Sequence, residues 1–367
     1  MATWKVVADR IKLFPHPTSE RLRVGKVGKF QVVVNTDNPC ADGDIVVFAP
    51  ERSILPEAIR AEYVNTDTGE SYLQGDNRDR VGAVRLRGEL SEGATLPIDW
   101  VLKSLGLSSV NDLWLNVDLS DRLGITKYVP PVPADLVGKV SHMNEADFET
   151  RFVRHDVELF HMFKDEFVEG ELVDLTEKVH GSQVNIMKSE SGKLTLSSKY
   201  LGHEGMLIDE DPTNSYWQAV NNSGLREILG GTQWAGIAGA TSATIQVVAE
   251  LIPCHRKFGY GQTKPMLRIF KLIVNGVELP LSYVLGPDSP VGEAVQKLWV
   301  PFIARIPFEP STFAQYANGM EQVSGKELHI REGVVITPVT PRNDSEGHGL
   351  AIKFLNEKFK GAPTDFA

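Results

Sequence analysis

Cysteine is scarce. Only Cys40 and Cys254 occur in 367 residues, which excludes a disulfide framework and a four-cysteine zinc site. Long apolar runs are missing too: none approaches the ~18–20 residues that a membrane helix needs. The first twelve residues carry four charges and no apolar stretch, unlike a secretory leader. These absences give a cytoplasmic, non-membrane protein as the expectation. Positive charge is in deficit, with 38 Lys+Arg against 48 Asp+Glu and a net charge of −10. A histone-like coat for nucleic acid is thereby excluded. An enzyme with a local basic groove is not, because the field that matters is local. No internal repeat or low-complexity tract occurs. A hydrophobic share of 42% with 23% charged residues is that of a chain with a real core rather than a disordered, collagen-like or coiled-coil one.

What is present reads as strand-rich. Short apolar runs at Lys5–Ile11, Gln31–Val34 and Asp44–Phe48 are mostly bounded by Gly, Pro, Asn or Asp, the pattern of strands and turns. Val81–Gly88 alternates small or apolar residues with basic ones. Several such runs in about 100 residues predict a small barrel or sandwich. Residues 1–37 hold seven Lys/Arg and three Asp/Glu, whereas residues 151–174 hold three and seven. The first segment is therefore basic within an acidic protein. It fits a nucleic-acid-facing barrel, and charge alone also fits a solvated barrel surface.

Tyr128–Ala134 contains three prolines in seven residues, which favours extended backbone over helix or central strand. The expected organisation is a barrel over residues 1–127, a Pro-rich linker over 128–134, and an α+β domain over 135–367. In that second domain Glu171–Glu177, Thr244–Leu251, Leu267–Val274, Glu332–Thr337 and Leu350–Phe354 predict strands, and Asn275-Gly276 a hairpin. Val291–Leu298 and Ser311–Met320 predict helices, the second with Ser311 as its N-cap. Asn214–Trp234 reads as a polar loop and a helix end.

Four polar residues fall at or beside strand ends: Lys178, Glu250, Glu332 and Lys353, separated by 72, 82 and 21 residues. Two lysines and two glutamates so placed suggest a phosphate and metal site. Lys-x-x-Gly alone is weak, since the chain has it at Lys103, Lys178, Lys199 and Lys358. Lys178 differs in context. It follows one strand pattern, precedes another at Val184–Met187, and shares its turn with His180 and Gly181. Gly181 lets backbone approach a phosphate closely. A lysine that attacks phosphorus must be neutral, and burial with nearby cations lowers its pKa. By itself the turn also fits a surface hairpin.

At these residues the chain resembles a known family. Glu177-Lys178-Val179-His180-Gly181 is similar to motif I of the ATP-dependent polynucleotide ligases, in the form typical of the nick-sealing (RNA ligase 2-like) RNA ligases. The other motifs follow in order. Ser198-Lys199 sits where motif Ia belongs, and Glu250 resembles the motif III glutamate that holds the ribose. Phe270 resembles the aromatic that stacks on adenine. Glu332-Gly333-Val334-Val335-Ile336 resembles motif IV, whose glutamate serves the divalent metal. Ala351-Ile352-Lys353-Phe354 resembles motif V, whose lysine contacts the α-phosphate. Arg154 lies upstream, where relatives place a phosphate-contacting arginine. A barrel before the transferase domain, with eight residues after Phe359, is similar to the Deinococcus-type RNA ligases, and Pro15–Leu22 looks like the opening of tRNA-binding OB modules.

The resemblance implies an OB-like barrel followed by an antiparallel-sheet adenylyltransferase domain. It implies a covalent lysyl-AMP on Lys178, with Lys353 as the second catalytic residue. The nucleotide would be held by Glu177, His180, Gly181, Glu250, Phe270, Glu332, Arg154 and Lys199, and Mg²⁺ or Mn²⁺ by Glu332. The implied activity seals 3′-OH/5′-phosphate nicks in duplex RNA or RNA/DNA hybrid, in RNA repair, by a monomer. A capping guanylyltransferase and a non-catalytic OB-containing RNA-binding protein are the alternatives. The chain departs from the pattern at Gln183, where asparagine is typical, at Lys199 for arginine, at Lys271 for aspartate, and at Leu355 for the second motif V lysine. Cys254-His255 lacks zinc-ligand spacing, and His180 is the one histidine given a role by its position. The six tryptophans read as packing residues.

Overall fold

The computed structural model describes residues 4–36, 40–65, 68–143, 152–153, 155–239, 242–253 and 256–360. Contacts divide the chain into two compact units, Met1–Pro131 and Val132–Ala367. Among the described residues no helix is long and apolar enough to cross a membrane.

The first unit is built on strands β1 (Val7–Pro15), β2 (Leu22–Val27), β3 (Phe30–Asn35), β4 (Ile45–Pro50) and β5 (Gly93–Thr95). They form one antiparallel sheet in the order β3-β2-β1-β4-β5. The sheet bends until its edges meet: the Glu92 amide, just before β5, donates to the Gln31 carbonyl of β3 at 2.8 Å. The result is a near-closed five-strand barrel. Inward residues such as Ile11, Val27, Val32 and Phe48 are buried together, while Val6, Ala8, Val47, Leu55 and Leu119 form a second cluster. The basic run Val81–Gly88 gives only a short hairpin, Val84–Leu86 with Glu89–Ser91. His16 ties β1 to that hairpin. Its Nδ1 accepts from the Thr18 amide and its Nε2 donates to the Leu86 carbonyl, 3.1 Å away. Trp114 departs from the packing expectation: it is 44% exposed, with the Arg122 guanidinium 4.4 Å over its ring.

The second unit holds two five-stranded sheets. In one, β6 (Leu172–Lys178) lies between β11 (Phe302–Pro307) and β12 (Gly333–Pro338), followed by β13 (Ile352–Leu355) and the short strand Glu158–Leu159. All pairs are antiparallel except the last, where Glu158–Leu159 runs parallel to β13. In the other sheet, β7 (Ser182–Lys188) pairs with β8 (Leu194–Ser198) and β9 (Ile245–Ile252). The latter pairs with β10 (Met266–Val274). Three residues, Val179–Gly181, carry the chain from β6 in one sheet to β7 in the other. A β-bulge interrupts the β9–β10 register: Val248 faces Lys271 and Ala249 faces Ile269, leaving Phe270 as the extra residue.

Asn214–Trp234 is helical rather than loop-like. Helices Ser215–Asn222 and Leu225–Leu229, followed by Gln233–Ala238, cover one face of the second sheet. The Asn214 side chain caps the first by accepting from the Tyr216 amide at 2.8 Å, and Trp217 and Trp234 are buried against the sheet. Polar composition masks this, because each helix is short and buries only a few residues. The expected Ser311 cap is also corrected. Pro310–Thr312 is a 3₁₀ turn leading into helix Phe313–Ala317, and the Ser311 hydroxyl donates to the Glu309 carboxylate instead.

Adjacent residues of a strand face opposite ways, and Glu177 turns away from its neighbour Lys178. Its Oε2 accepts from the Gln322 amide at 2.7 Å, pinning the segment before β12. Burial pushes its carboxyl up to about 7, against the Gln322 hydrogen bond and the Arg331 charge. A raised carboxyl pKa makes a stability contribution that is complete below about 4.5 and is lost as pH rises through about 7. Glu177→Gln keeps the hydrogen bond and removes the ionisation. It should leave urea stability near wild type at pH 5 and raise it by about 1–3 kcal/mol at pH 8. In the first unit, a Cβ on Gly93 would lie 2.5 Å from the Ala49 carbonyl and 2.3 Å from the Phe48 ring. Gly93→Ala should therefore lower the urea midpoint by the equivalent of about 1–3 kcal/mol.

Candidate active site

A cavity of about 480 Å³ lies within the second unit. It is lined by Lys178, Lys199, Glu250, Phe270 and Lys353, which come from β6, the Ser198–Lys199 corner, β9, β10 and β13. Residues up to 175 positions apart in the chain meet here because β6, β12 and β13 are neighbours in one sheet and β7, β9 and β10 in the other.

Lys178 ends β6, in register with Gly333 of β12. That register sets the lysine beside Glu332, with Nζ 2.7 Å from Oε1. The His180 Nδ1 is 3.4 Å from the second oxygen, Oε2, an orientation that leaves Oε2 buried without a hydrogen-bond partner. Burial alone would raise the Glu332 pKa, but the Lys178 and His180 contacts outweigh it and hold the carboxyl below its usual range. Two close approaches fix this corner. A Cβ on Gly181 would lie 2.4 Å from the Leu251 carbonyl, and one on Gly333 would lie 2.2 Å from the Phe354 carbonyl. The turn is further held by Tyr260, whose hydroxyl accepts from the His180 amide at 2.7 Å.

Glu250 faces Gln183 across β7 and β9. Burial pushes its carboxyl up to about 7, although Lys178 and Lys199 pull it down and Glu332 adds to the rise. Lys353 responds in the opposite sense. Burial lowers it to about 8, helped by Lys178 and Lys199 and opposed by Glu332 and Asp156. Lys199 is ion-paired to the buried Asp156 carboxylate. The site thus gathers three ammonium groups and interleaved carboxylates in a half-enclosed space, the arrangement that accepts a polyanion.

Phe270 borders the cavity at the bulge, its ring 5.4 Å from that of His155 and inclined at 43°. Lys271 is buried and ion-paired to Glu278. Desolvation lowers its pKa, against the Glu278 charge. Gln183 donates to the His155 carbonyl at 3.2 Å. The structure therefore brings Lys178, Gly181, Lys199, Glu250, Phe270 and Lys353 to one cavity, with Glu332 and His180 behind Lys178. Glu177 borders the cavity but uses its carboxylate on Gln322. Arg154 lies outside the described residues. Lys358 is exposed on the terminal helix Glu357–Lys360 and does not line the cavity. His155, Asp156 and Tyr260 went unrecognised in the sequence: they lie in coil or 3₁₀-flanking segments and carry no periodic signal. Among the described residues no group of three or more His, Cys, Asp and Glu side chains forms a ready metal cage.

The geometry can be set beside known proteins. No curated protein matches the chain by sequence. Among solved structures it is similar to Naegleria gruberi RNA ligase with pyrophosphate, at TM-score 0.64 and 17% identity over 98% of each chain. It is similar also to a mutant of that ligase with ATP and Mn, at TM-score 0.64 and 17% identity over 96% of this chain and 97% of the other. A further mutant with AMP and Mn gives TM-score 0.63 and 17% identity, again over 96% and 97%. At such identity these likenesses speak for a shared fold. The family model for RNA ligase matches residues 171–355, a stretch that opens just before β6, closes with β13 and contains all five cavity side chains named at the outset. By that match over half its length the chain belongs to the RNA ligase family.

Proposed function

We propose that the protein is an ATP-dependent RNA ligase that works through a lysyl-AMP on Lys178 and seals 3′-OH/5′-phosphate nicks in duplex RNA or RNA/DNA hybrid. The observation that carries this reading is the Lys178 amine at the edge of a cavity shared with Lys199, Glu250, Phe270 and Lys353. Nucleotide and manganese appear in the ligands of the similar Naegleria structures, with ATP in one and AMP in another, which supports the nucleotide class.

In this reading the Lys178 nitrogen, freed of its proton, attacks the α-phosphorus. A nitrogen–phosphorus bond forms, the bond to the bridging oxygen breaks, and pyrophosphate leaves. The amine's Glu332 partner holds it in line. Lys353 and Lys199 carry the phosphate charge, so the residues act by positioning and charge neutralisation. Glu250 accepts from the ribose, and the Phe270 ring stacks on the base. The AMP then passes to the 5′-phosphate of the nick, and the 3′-OH displaces it. The buried, unpartnered Glu332 Oε2 is a hard oxygen suited to Mg²⁺ or Mn²⁺. Such an ion, when bound, would neutralise phosphate charge.

The first unit, read as residues 1–127 with a linker over 128–134, is proposed to be an OB-like grip on the nucleic-acid backbone. Its near-closed barrel and basic opening residues support this and a Deinococcus-type arrangement; a role in RNA repair, in the cytoplasm and as a monomer, is proposed with it. A capping enzyme or a non-catalytic RNA binder is disfavoured by the RNA ligase family match and by the intact Lys178, Glu250 and Glu332.

Purified protein incubated with α-labelled ATP and a divalent metal should gain the mass of one AMP. Lys178→Ala should abolish the adduct, and Lys353→Ala should slow its formation roughly 100-fold. Removing the metal with a chelator should prevent it. An adduct that survives in Lys178→Ala rules the mechanism out, and equal sealing of all-DNA nicks would make the protein a DNA ligase.

A further inference from the structure

The cavity contains a buried polar atom that the phosphate chemistry does not use. His155 lies three residues before the Glu158–Leu159 strand, is 3% exposed, and lines the cavity with Phe270. Its ring nitrogen Nδ1 is buried and has no hydrogen-bond partner. Buried polar atoms are normally paired, because an unpaired one forfeits its hydration and gains nothing in return. An unpaired nitrogen on a residue that lines a cavity is therefore a candidate partner for a ligand atom.

The ring is also held in place. Gln183 of β7 fixes the His155 carbonyl at 3.2 Å, and the Phe270 ring packs against the imidazole at 5.4 Å. Desolvation keeps the imidazole uncharged, aided by the Lys271 and Lys199 charges and opposed by Asp156. A neutral imidazole offers one lone pair. Lys271 is taken up by Glu278, so the strand neighbour of Phe270 is already paired. Two rings inclined at 43° form a corner rather than a slot. In that corner a flat base laid on Phe270 would meet His155 with its edge.

We propose that His155 is a base-specificity residue, its Nδ1 accepting a hydrogen bond from the exocyclic amino group of adenine while Phe270 carries the face of the ring. The inference rests on reading the cavity as a nucleotide site. A guanine would place a carbonyl oxygen where the amino group belongs, lone pair against lone pair. Stacking on Phe270 tolerates any purine, so discrimination must come from the edge.

The test is lysine charging by the full chain with ATP, with GTP, and with purine riboside triphosphate, which lacks the amino group. Wild type should use ATP better than purine riboside triphosphate by about ten-fold in kcat/KM, mostly through KM. His155→Phe should bring that ratio close to one, and His155→Gln, whose amide oxygen can accept, should recover part of it. Equal use of the two nucleotides by wild type, or an unchanged ratio in His155→Phe, overturns the inference. Should His155→Phe not fold, the wild-type comparison decides alone. A wild type that takes no nucleotide at all overturns the adenylylation reading and this inference with it. Charging without discrimination overturns this inference only.

Discussion

The site depends on one contact between neighbouring strands, the Lys178 ammonium against the Glu332 carboxylate at 2.7 Å. The two residues are 154 positions apart and meet because β6 and β12 pair in a fixed register, Lys178 opposite Gly333. A slip of one residue would send the lysine to the other face of the sheet. The register is protected by burial on both sides: Val173 and Leu175 of β6 and Val334 and Ile336 of β12 are all fully buried. Sheet packing, rather than local turn geometry, thus decides where the Lys178 nitrogen sits.

The three-residue passage from β6 to β7 does the complementary work. It delivers consecutive strands to two different sheets, so a single short segment borders walls drawn from both. Space there is nearly exhausted, as the absent Cβ atoms of Gly181 and Gly333 show. Tyr260 adds a hydrogen bond to the His180 amide, and Glu177 reaches the other way to Gln322. The turn is therefore held from three directions before any ligand arrives. Under the proposed mechanism the Lys178 amine gains from that, since positional freedom lost in advance need not be lost during reaction.

Much of this was legible in the sequence, and the exceptions have physical causes. The strands that carry Lys178, Glu250, Phe270 and Lys353, and the one that Glu332 precedes, are strongly apolar and bounded by turn residues, so their ends were identifiable within a residue or two. Period-two alternation was also available for Glu177: next to Lys178 in a strand, it had to face elsewhere. His155, Asp156 and Tyr260 were not legible. They lie outside regular strands, and isolated contacts of this kind leave no periodic pattern in the sequence. The helices over Asn214–Trp234 escaped because their stability comes from Trp217 and Trp234 against the sheet, not from helical propensity. The bulge at Phe270 was likewise invisible, since it arises only from pairing with β9.

The electrostatics explain how a protein of net charge −10 can present a site for a polyanion. Lys178, Lys199 and Lys353 line one cavity, and each ammonium there raises the cost of the others. That cost is met unevenly. Glu332 sits on Lys178 and Asp156 on Lys199, whereas Lys353, with no ion pair of its own among the described residues, takes the strain and is lowered to about 8. Glu250 is displaced the other way, to about 7. Near neutral pH Glu250 is close to its titration point and Lys353 is mostly charged, and a ligand carrying negative charge would favour the charged Lys353 further. On the proposed reading, a bound phosphate would offset part of the mutual repulsion of the three lysines.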